Sequence, residues 1–415
     1  MKIAILTTDS REHFCQYTKQ TPYFGTAPQG LICGFAEIGD QMSEAGSHES
    51  VEIHVISCTQ RPMSSPEKLA DNIWFHSLHV PKWGWLKSGY LGCILAVRKK
   101  LRKIQPDLIH AQGTERDCAI SAIFTPYPKL LTIHGNLRLI RQTIGFRPLS
   151  AMWFQTFIEG FVVPRFDGVV CITNYTKKAI EHEAKKTWVI PNAVDPAFLS
   201  LGEERQIKDR RSDIGSQPTP TSDLRPPSST IPAPIVLVVA NVDARKNQSN
   251  FILALDALAK KTPFQAKFFG RCSDDDYGRE FHRLVSERTW CQYGGMISRD
   301  ELRREFASAT VLALPTHEDN CPMVVLEAQA AAIPVMASNV GGVPDLVENE
   351  VTGLLTDPNR PESMSAALQR LLQEPALVND LARNGRLQAQ QRFHPEVIAA
   401  AHLEIYAEVI ASQRK

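Results

Sequence analysis

Two carboxylates, Asp319 and Glu327, stand on either side of the start of an apolar segment. Pro322 between them suits the first position of a helix, because the amide hydrogen that proline lacks would be unpaired there. Glu327 lies within the apolar run 323–332, where a carboxylate loses solvation unless a donor group binds it. The hydroxyls of a ribose are such donors, and the free amides at a helix N-terminus favour a phosphate. The pattern predicts a nucleotide-sugar site, with a structural ion pair at Glu327 as the alternative.

Composition limits the class of protein. The chain has 415 residues, enough for two domains, with 43% hydrophobic and 22% charged residues, as in a soluble globular protein. No apolar run approaches the ~18 residues of a membrane-spanning helix. Residues 1–8 turn polar too soon for a signal peptide and predict a buried strand. Nine cysteines without paired spacing predict free thiols in the cytoplasm, and no His/Cys cluster has the spacing of metal ligands.

The charge distribution is uneven although the net charge is only +1, which predicts no nucleic-acid partner. Twelve basic and three acidic residues lie between Lys82 and Arg147. Aromatic clusters occur at 83–85 and at 152–158. Together these features predict contact with the inner face of a membrane or with a lipid-linked acceptor. Ordinary core aromatics beside solvated charges are the alternative.

β-branched runs alternate with helical periodicity in two halves of the chain, which predicts two α/β domains with parallel, doubly wound sheets. Ligands then bind at the carboxyl ends of the strands, in a cleft between the halves. The predicted organisation is a first domain at 1–200, a flexible Pro/Ser/Thr-rich insertion at 201–234 and a second domain at 235–392. A final helix at 393–415 is expected to pack back on the first domain.

Several motifs in register resemble the retaining family-4 glycosyltransferases of the GT-B fold, whose pattern has two acids separated by seven residues and followed by a Gly-Gly turn. Asp319 and Glu327 match the acids, and Gly341-Gly342 matches the turn. Further matches are the segments 190–195, 238–247 and 349–355. The resemblance covers most of the chain and implies an N-terminal acceptor domain and a C-terminal donor domain.

The resemblance also implies roles for the charged residues. Glu327 would accept hydrogen bonds from the ribose hydroxyls, and Asp319 would contact the transferred sugar, with Glu318 as an alternative. Lys246 falls on the family lysine that binds the diphosphate. The family arginine is Asn241 here, so Arg245 is expected to replace it.

Other positions follow from the same alignment of motifs. Asn320, Cys321, Pro322 and Met323, at the helix start, would meet the sugar or the phosphates. In the first half, His134 would hydrogen-bond the donor sugar near the reacting carbon. The loop containing Gly25 and Thr26 would approach the phosphates or the acceptor. His110 is either structural or directed at the acceptor.

The implied reaction moves a sugar from a nucleotide-diphosphate sugar to a glycan, glycolipid or lipid-linked acceptor, in polysaccharide or glycoconjugate biosynthesis. Front-face displacement would retain the anomeric configuration, with the leaving phosphate helping to deprotonate the acceptor. No cofactor is expected, and Lys246, Arg245 and a helix dipole would replace a metal. The alternatives are a sugar-nucleotide epimerase of the same architecture and a non-catalytic nucleotide-sugar-binding subunit.

Overall fold

A computed structural model of the chain describes residues 1–44, 51–145, 150–215 and 233–413. The chain divides into two compact units. The first is Met1–Asp195 together with Arg392–Lys415, and the second is Pro196–Gln391.

The first unit contains an eight-stranded sheet in the order β3-β4-β2-β1-β5-β6-β7-β8. Its strands are β1 (Lys2–Leu6), β2 (Glu52–Thr59), β3 (Lys68–Ala70), β4 (Ile73–His79), β5 (Leu108–Gln112), β6 (Lys129–Ile133), β7 (Gly168–Cys171) and β8 (Thr187–Val189). All neighbouring pairs are parallel except β3 and β4. The inner strands β1, β2, β5, β6 and β7 are largely buried because both faces of the sheet are covered, whereas the outer strands β3 and β8 are partly exposed.

Helices occupy both faces of this sheet. They are α1 (Thr26–Glu44), α2 (Leu91–Ile104), α3 (Asp117–Ile123), α4 (Leu137–Ile144), α5 (Ala151–Val162) and α6 (Asn174–Ile180). Along β1, Ala4 and Leu6 pack into the cluster formed with α2, α3 and α5, whereas Ile3 and Ile5 pack into the cluster that includes α1. This alternation follows from the two-residue period of a strand.

The second unit contains a six-stranded parallel sheet in the order β11-β10-β9-β12-β13-β14. Its strands are β9 (Ile235–Val239), β10 (Gln265–Phe269), β11 (Cys291–Tyr293), β12 (Val311–Leu314), β13 (Val335–Ser338) and β14 (Leu354–Thr356). Its helices are α7 (Pro196–Gly215), α8 (Gln248–Ala259), α9 (Asp276–Ser286), α10 (Arg299–Ser308), α11 (Met323–Ala330), α12 (Pro361–Gln373) and α13 (Pro375–Arg392). Since β9 lies between β10 and β12, the loops after β9 and β12 emerge side by side.

The last helix, α14 (Pro395–Ser412), belongs to the first unit and packs along α1. Its buried residues include His402, Ile405, Tyr406 and Val409. Within the described ranges, no helix combines the length and apolar character needed to cross a bilayer.

The structure differs from the sequence expectations in three places. Residues 201–215, placed in a flexible insertion, continue α7, because Phe198, Leu199 and Leu201 are buried in the second unit. Residues 216–232 of that insertion and Arg147 lie outside the described residues. Pro322 is the residue before α11 and not its first residue. Strands β3 and β4 were not predicted.

Candidate functional site

The loops that follow β9 and β12 are joined by hydrogen bonds. A short 3-10 turn begins after Asp243, whose carboxylate accepts from the amide of Lys246 at 3.0 Å. The carbonyl of Arg245 in this turn accepts from the amide of His317 at 2.8 Å and from the hydroxyl of Thr316 at 3.1 Å. The cations of the first loop are therefore held next to the carboxylates of the second.

Two ion pairs connect the charged residues predicted for the donor. Lys246 Nζ is paired with Asp319 Oδ2, and a terminal nitrogen of Arg245 lies 3.0 Å from Glu318 Oε2. Lys246 and Glu318 are 8% and 7% exposed. Attraction between charges is stronger at such partly buried positions than in bulk water. The structure thus brings together the predicted diphosphate-binding cations and the predicted sugar-binding acids, each already neutralised by the other.

A Gly-Gly turn supports the backbone of Asp319. The amide of Gly342 donates to the carbonyl of Asp319 at 2.9 Å. Gly341 has a φ of +57°, and a Cβ added there would collide with the same carbonyl. Only glycine meets both conditions without strain. The amide of Asn320 donates to Asp319 Oδ1 at 3.0 Å, so the carboxylate is also fixed from its own loop.

Glu327 on α11 is 1% exposed and forms an ion pair with Arg299, the first residue of α10, at 2.9 Å. The Arg299 guanidinium lies over the ring of Phe198, 5.1 Å from its centroid. This is the structural ion pair that the sequence left open as the alternative. Contact between Glu327 and a ribose stays a prediction. Such contact requires the ribose hydroxyls either to bind the carboxylate alongside Arg299 or to displace Arg299 from the carboxylate.

The start of α11 contains the other predicted donor contacts. Cys321 and Pro322 are buried and Met323 is partly exposed. The carbonyl of Pro322 accepts from the amide of Val325 at 3.0 Å. These residues and Asp319 therefore lie in the segment that connects the end of β12 to the start of α11.

In the first unit, His134 directly follows β6 and is held by neighbouring amide side chains. Its Nε2 lies 2.7 Å from Gln112 Oε1. Burial lowers the pKa of His134 to about 4, against a hydrogen bond with Asn192 that raises it. The imidazole is therefore neutral near pH 7 and engaged within its own unit, beside a small cavity also lined by Gln112, Asn192 and His402.

His110 is structural. Its Nδ1 lies 2.6 Å from the hydroxyl of Tyr406 on α14, and its Nε2 lies 2.7 Å from Thr132 Oγ1. The ring is 0% exposed, and burial lowers its pKa well below the usual value. His110 thus attaches the last helix to the sheet.

Gly25 and Thr26 lie at the start of α1, where Gly25 has a φ of +79°. The preceding loop depends on Arg11, a residue that the sequence analysis missed. Arg11 is fully buried, binds both carboxylate oxygens of Asp9, and donates to carbonyls that include Gln20 at 2.8 Å. The Asp-x-Arg spacing after the first strand was the available signal.

Metal-ligating atoms come close together in two places within the described part of the chain. Cys58, Cys93 and Asp117 are buried with their ligand atoms within 4.8 Å of one another. A hydrogen bond with Cys93, followed by burial, raises the pKa of the Cys58 thiol well above its usual value, which favours its protonated form. The second group is Glu37, His394 and Glu396. Neither group includes a predicted site residue.

The two aromatic clusters differ in exposure. Trp83 is 71% exposed, but Trp85 is buried and donates its indole N–H to the carbonyl of Val80 at 2.9 Å. The second cluster lies on α5, where Phe154 and Phe157 are 43% and 54% exposed. Trp85 is therefore a core residue, whereas Trp83 and α5 present apolar surface.

Comparisons with known proteins agree with this architecture. The family model described as "Glycosyltransferase Family 4" matches residues 37–198, and the model described as "Glycosyl transferases group 1" matches residues 225–388. Sucrose-phosphate synthase from Thermosynechococcus elongatus has a TM-score of 0.72 at 21% identity, over 99% of this chain and 100% of that one. Anabaena HepE in complex with UDP and glucose has a TM-score of 0.67 at 18% identity, over 98% and 100%.

Similarity to curated proteins is more local. A D-inositol 3-phosphate glycosyltransferase of Saccharomonospora viridis is 39% identical over 114 residues, which are 28% of this chain and 26% of that protein. An uncharacterized glycosyltransferase of Methanocaldococcus jannaschii is 25% identical over 223 residues, 53% of this chain and 54% of that protein. The matched part thus spans between a quarter and about half of these relatives. By its two family models and its fold, the chain belongs to the group 1 glycosyltransferases of the GT-B fold.

Proposed function

We propose that this protein transfers a sugar from a nucleotide-diphosphate sugar to a glycan, glycolipid or lipid-linked acceptor in polysaccharide or glycoconjugate biosynthesis. The observation that carries the proposal is the pairing of Lys246 with Asp319 and of Arg245 with Glu318 at the ends of adjacent strands. A diphosphate can replace the carboxylates as the partner of the two cations. The released acids can then accept hydrogen bonds from the sugar hydroxyls.

The leaving group gives these cations a catalytic role. Departure of a nucleoside diphosphate develops negative charge, and preorganised cations stabilise that charge without further reorganisation. Lys246 and Arg245 are preorganised by the turn after Asp243 and by the contacts of the Arg245 carbonyl. For this reason we also propose that transfer needs no divalent metal.

Retention of the anomeric configuration is part of the proposal. Asp319 is held by an ion pair and by its own loop amide, and Glu318 is held by Arg245. Because the two acids are adjacent residues of one loop, they are poorly placed to flank a glycosidic bond from both sides, as a double displacement needs. Front-face displacement is the remaining route to a retained product.

The experiment is a thermal-shift screen of UDP-, GDP- and ADP-sugars, followed by product analysis with the stabilising donor. A ligand that binds only the folded state raises the melting temperature by mass action. The control is Lys246→Met, which we expect to reduce the shift at the same donor concentration. Glycosyl transfer to an added acceptor supports the proposal. Release of an epimerised nucleotide sugar, or binding without turnover, contradicts it.

We further propose that the acceptor is met at an exposed aromatic face of the first unit. Phe154, Phe157 and Phe161 are 43%, 54% and 43% exposed and form an aromatic stripe on α5, at helical spacing of three and four. The stripe ends where Arg165 lies over the Phe161 ring, 3.7 Å from its centroid. Apolar side chains beside cations suit the headgroup region of an anionic membrane. We propose peripheral contact with the inner face of the cytoplasmic membrane through this stripe.

A further inference from the structure

The metal-ligating group of Glu37, His394 and Glu396 lies where α14 begins beside α1. Its three ligand atoms are within 4.8 Å of one another. All three residues are partly exposed and belong to the first unit, so the group is complete without the second unit. Ligand atoms that share one cation at about 2.1 Å are at most roughly 4.2 Å apart, so small rotations of these side chains bring them to coordination distance.

The backbone on both sides of His394 is fixed. The carbonyl of Phe393, a fully buried residue, accepts from an amide in the loop after β8 at 2.9 Å. Pro395 contacts α1 at Gly34, where an added Cβ would lie 2.1 Å from the Pro395 carbonyl oxygen. Glu37 follows Gly34 by three residues and therefore lies on the same face of α1. The ligands are thus held on two elements that pack closely against each other.

The carboxylates of this group are not balanced by a lysine or an arginine. Among the residues that the structure describes, neither Glu37 nor Glu396 forms an ion pair with either residue type. Burial raises the pKa of Glu37, the charge of His394 lowers it, and the charge of Glu396 raises it. Two partly buried carboxylates therefore face each other beside an imidazole, and a divalent cation would neutralise both acids.

Helix capping accounts for two of these three residues but not for the third. His394 is the N-cap of α14, and its Nδ1 accepts from the amide of Glu396 at 3.3 Å. Glu396 lies in the first turn, where an acid interacts favourably with the helix dipole. Glu37 has no such role, because it lies in the interior of α1 and is brought against a second acid. A shared cation explains all three positions together.

We propose that Glu37, His394 and Glu396 bind a divalent transition-metal ion that joins the start of α14 to α1. One imidazole nitrogen with two carboxylate oxygens suits Zn²⁺ or Mn²⁺, whereas Mg²⁺ and Ca²⁺ prefer oxygen ligands alone. The ion takes the Nδ1 lone pair from the long cap hydrogen bond, or binds Nε2 of the other tautomer. Since no ligand is a predicted donor-site residue, the ion stabilises the fold and does not enter sugar transfer.

Mn²⁺ is the probe for this site, because it has little affinity for the nine free cysteines, which can bind Zn²⁺. Loss of the electron paramagnetic resonance signal of free Mn²⁺ measures binding to the protein without donor. The wild type should bind one ion that Glu37→Gln and His394→Asn bind at least about 10- to 100-fold more weakly, since loss of groups that only support a ligand already costs that much. Asparagine keeps an N-cap at 394. Zn²⁺ should displace the bound Mn²⁺, and Mg²⁺ at the same concentration should not.

Glu362→Gln is the matched control, because Glu362 is an exposed acid that also follows a proline in the first turn of a helix, α12. It should bind Mn²⁺ like the wild type. Mn²⁺ should also raise the melting temperature of the wild type and of this control, but not that of Glu37→Gln or His394→Asn. The site is excluded if the wild type binds no Mn²⁺, if all variants bind it alike, or if Mg²⁺ competes as well as Zn²⁺. None of these outcomes depends on the proposed sugar transfer.

Discussion

Lys246 and Asp319 form an ion pair in which the two side chains are only 10% and 15% exposed. One was predicted to bind the donor diphosphate and the other the donor sugar. In this structure each side chain therefore pairs with the other instead of with the donor group that it is predicted to bind. If both residues bind the donor as predicted, donor binding has to break this pair and replace it with two new charge-assisted contacts.

Removing the charge of Asp319 should therefore separate binding from turnover. In Asp319→Asn, Lys246 is released, and we expect a nucleoside diphosphate without sugar to bind several-fold more tightly. Sugar transfer should fall because the carboxylate that accepts from the sugar hydroxyls is gone. Isothermal titration with UDP or GDP, beside initial rates, measures both effects.

Lys246→Met is the opposite change and should weaken diphosphate binding by about 10- to 100-fold, the equivalent of one charge-assisted hydrogen bond. The matched control is Asp276→Asn, which weakens an exposed pair with Arg279 far from the predicted site residues in sequence. Equal diphosphate affinity in Asp319→Asn, Lys246→Met and wild type would exclude the pair from the site.

The sequence predicted the parallel sheets and the loops that contain the charged residues, because strand periodicity and turn residues are local signals. It predicted Lys246, Arg245, Glu318 and Asp319 as site residues but not that they pair with one another. Pairing depends on the side-by-side emergence of the loops after β9 and β12, which is set by strand order. Strand order is not a local property.

Arg299 shows the same limit. Arg299 begins a helix that is remote in sequence from Glu327, and nothing near it marks it as an ion-pair partner. Residues 201–215 show the converse, since a polar composition concealed a helix whose N-terminal turns are anchored by Phe198 and Leu201.

The pair between Glu327 and Arg299 predicts two separable effects. Arg299→Met leaves a buried carboxylate without its cation and should reduce the free energy of unfolding by about 2 kcal/mol, after allowance for the partial exposure of the arginine. Glu327→Gln keeps the shape but weakens any bonds from ribose hydroxyls. If Glu327 holds the ribose, nucleotide affinity should fall by roughly 10- to 1,000-fold in Glu327→Ala and also fall in Glu327→Gln.

Chemical denaturation and nucleotide titration on the three variants separate these roles. A loss of stability with unaltered nucleotide affinity in Glu327→Gln would show that the carboxylate is purely structural. The control for stability is Glu350→Gln, which breaks an exposed pair with Arg370. The free energy of unfolding of this variant should differ little from that of the wild type.

The cations of the donor loop predict independence from divalent metals. If Lys246 and Arg245 stabilise the leaving diphosphate, prolonged treatment with EDTA should leave the transfer rate unchanged. Added Mn²⁺ or Mg²⁺ should then give no more than a modest effect. Activity lost with the chelator and restored by Mn²⁺ would contradict this assignment.

The buried histidines of the first unit predict acid lability. Burial lowers the pKa of His402 to about 4, and its Nε2 has no hydrogen-bond partner in the part of the chain that the structure describes. Between pH 6.5 and 4 the unfolded chain binds more protons at this residue than the folded one does. Stability contributed by the neutral ring is therefore present above pH 6.5 and is lost as the pH falls towards 4.

His402→Phe should flatten this dependence, with a difference of roughly 3 kcal/mol at most between neutral and acid pH. Urea denaturation across this range measures the slope. His79→Gln, at an exposed histidine of β4, is the control. A variant with the wild-type slope would show that His402 does not titrate with unfolding.

The aromatic stripe of α5 predicts salt-sensitive binding to anionic membranes. Phe154→Ser with Phe157→Ser removes two exposed rings without touching the core. Each ring that enters the headgroup region contributes through its buried apolar area, so the double variant should lose about 10- to 100-fold in vesicle affinity. Co-sedimentation with phosphatidylglycerol vesicles, compared with phosphatidylcholine vesicles, measures this loss of affinity.

Leu387→Ser, at a residue of α13 that is 51% exposed, is the matched control and should bind like wild type. Absence of wild-type co-sedimentation at low salt would contradict membrane contact, because electrostatic attraction is strongest under that condition.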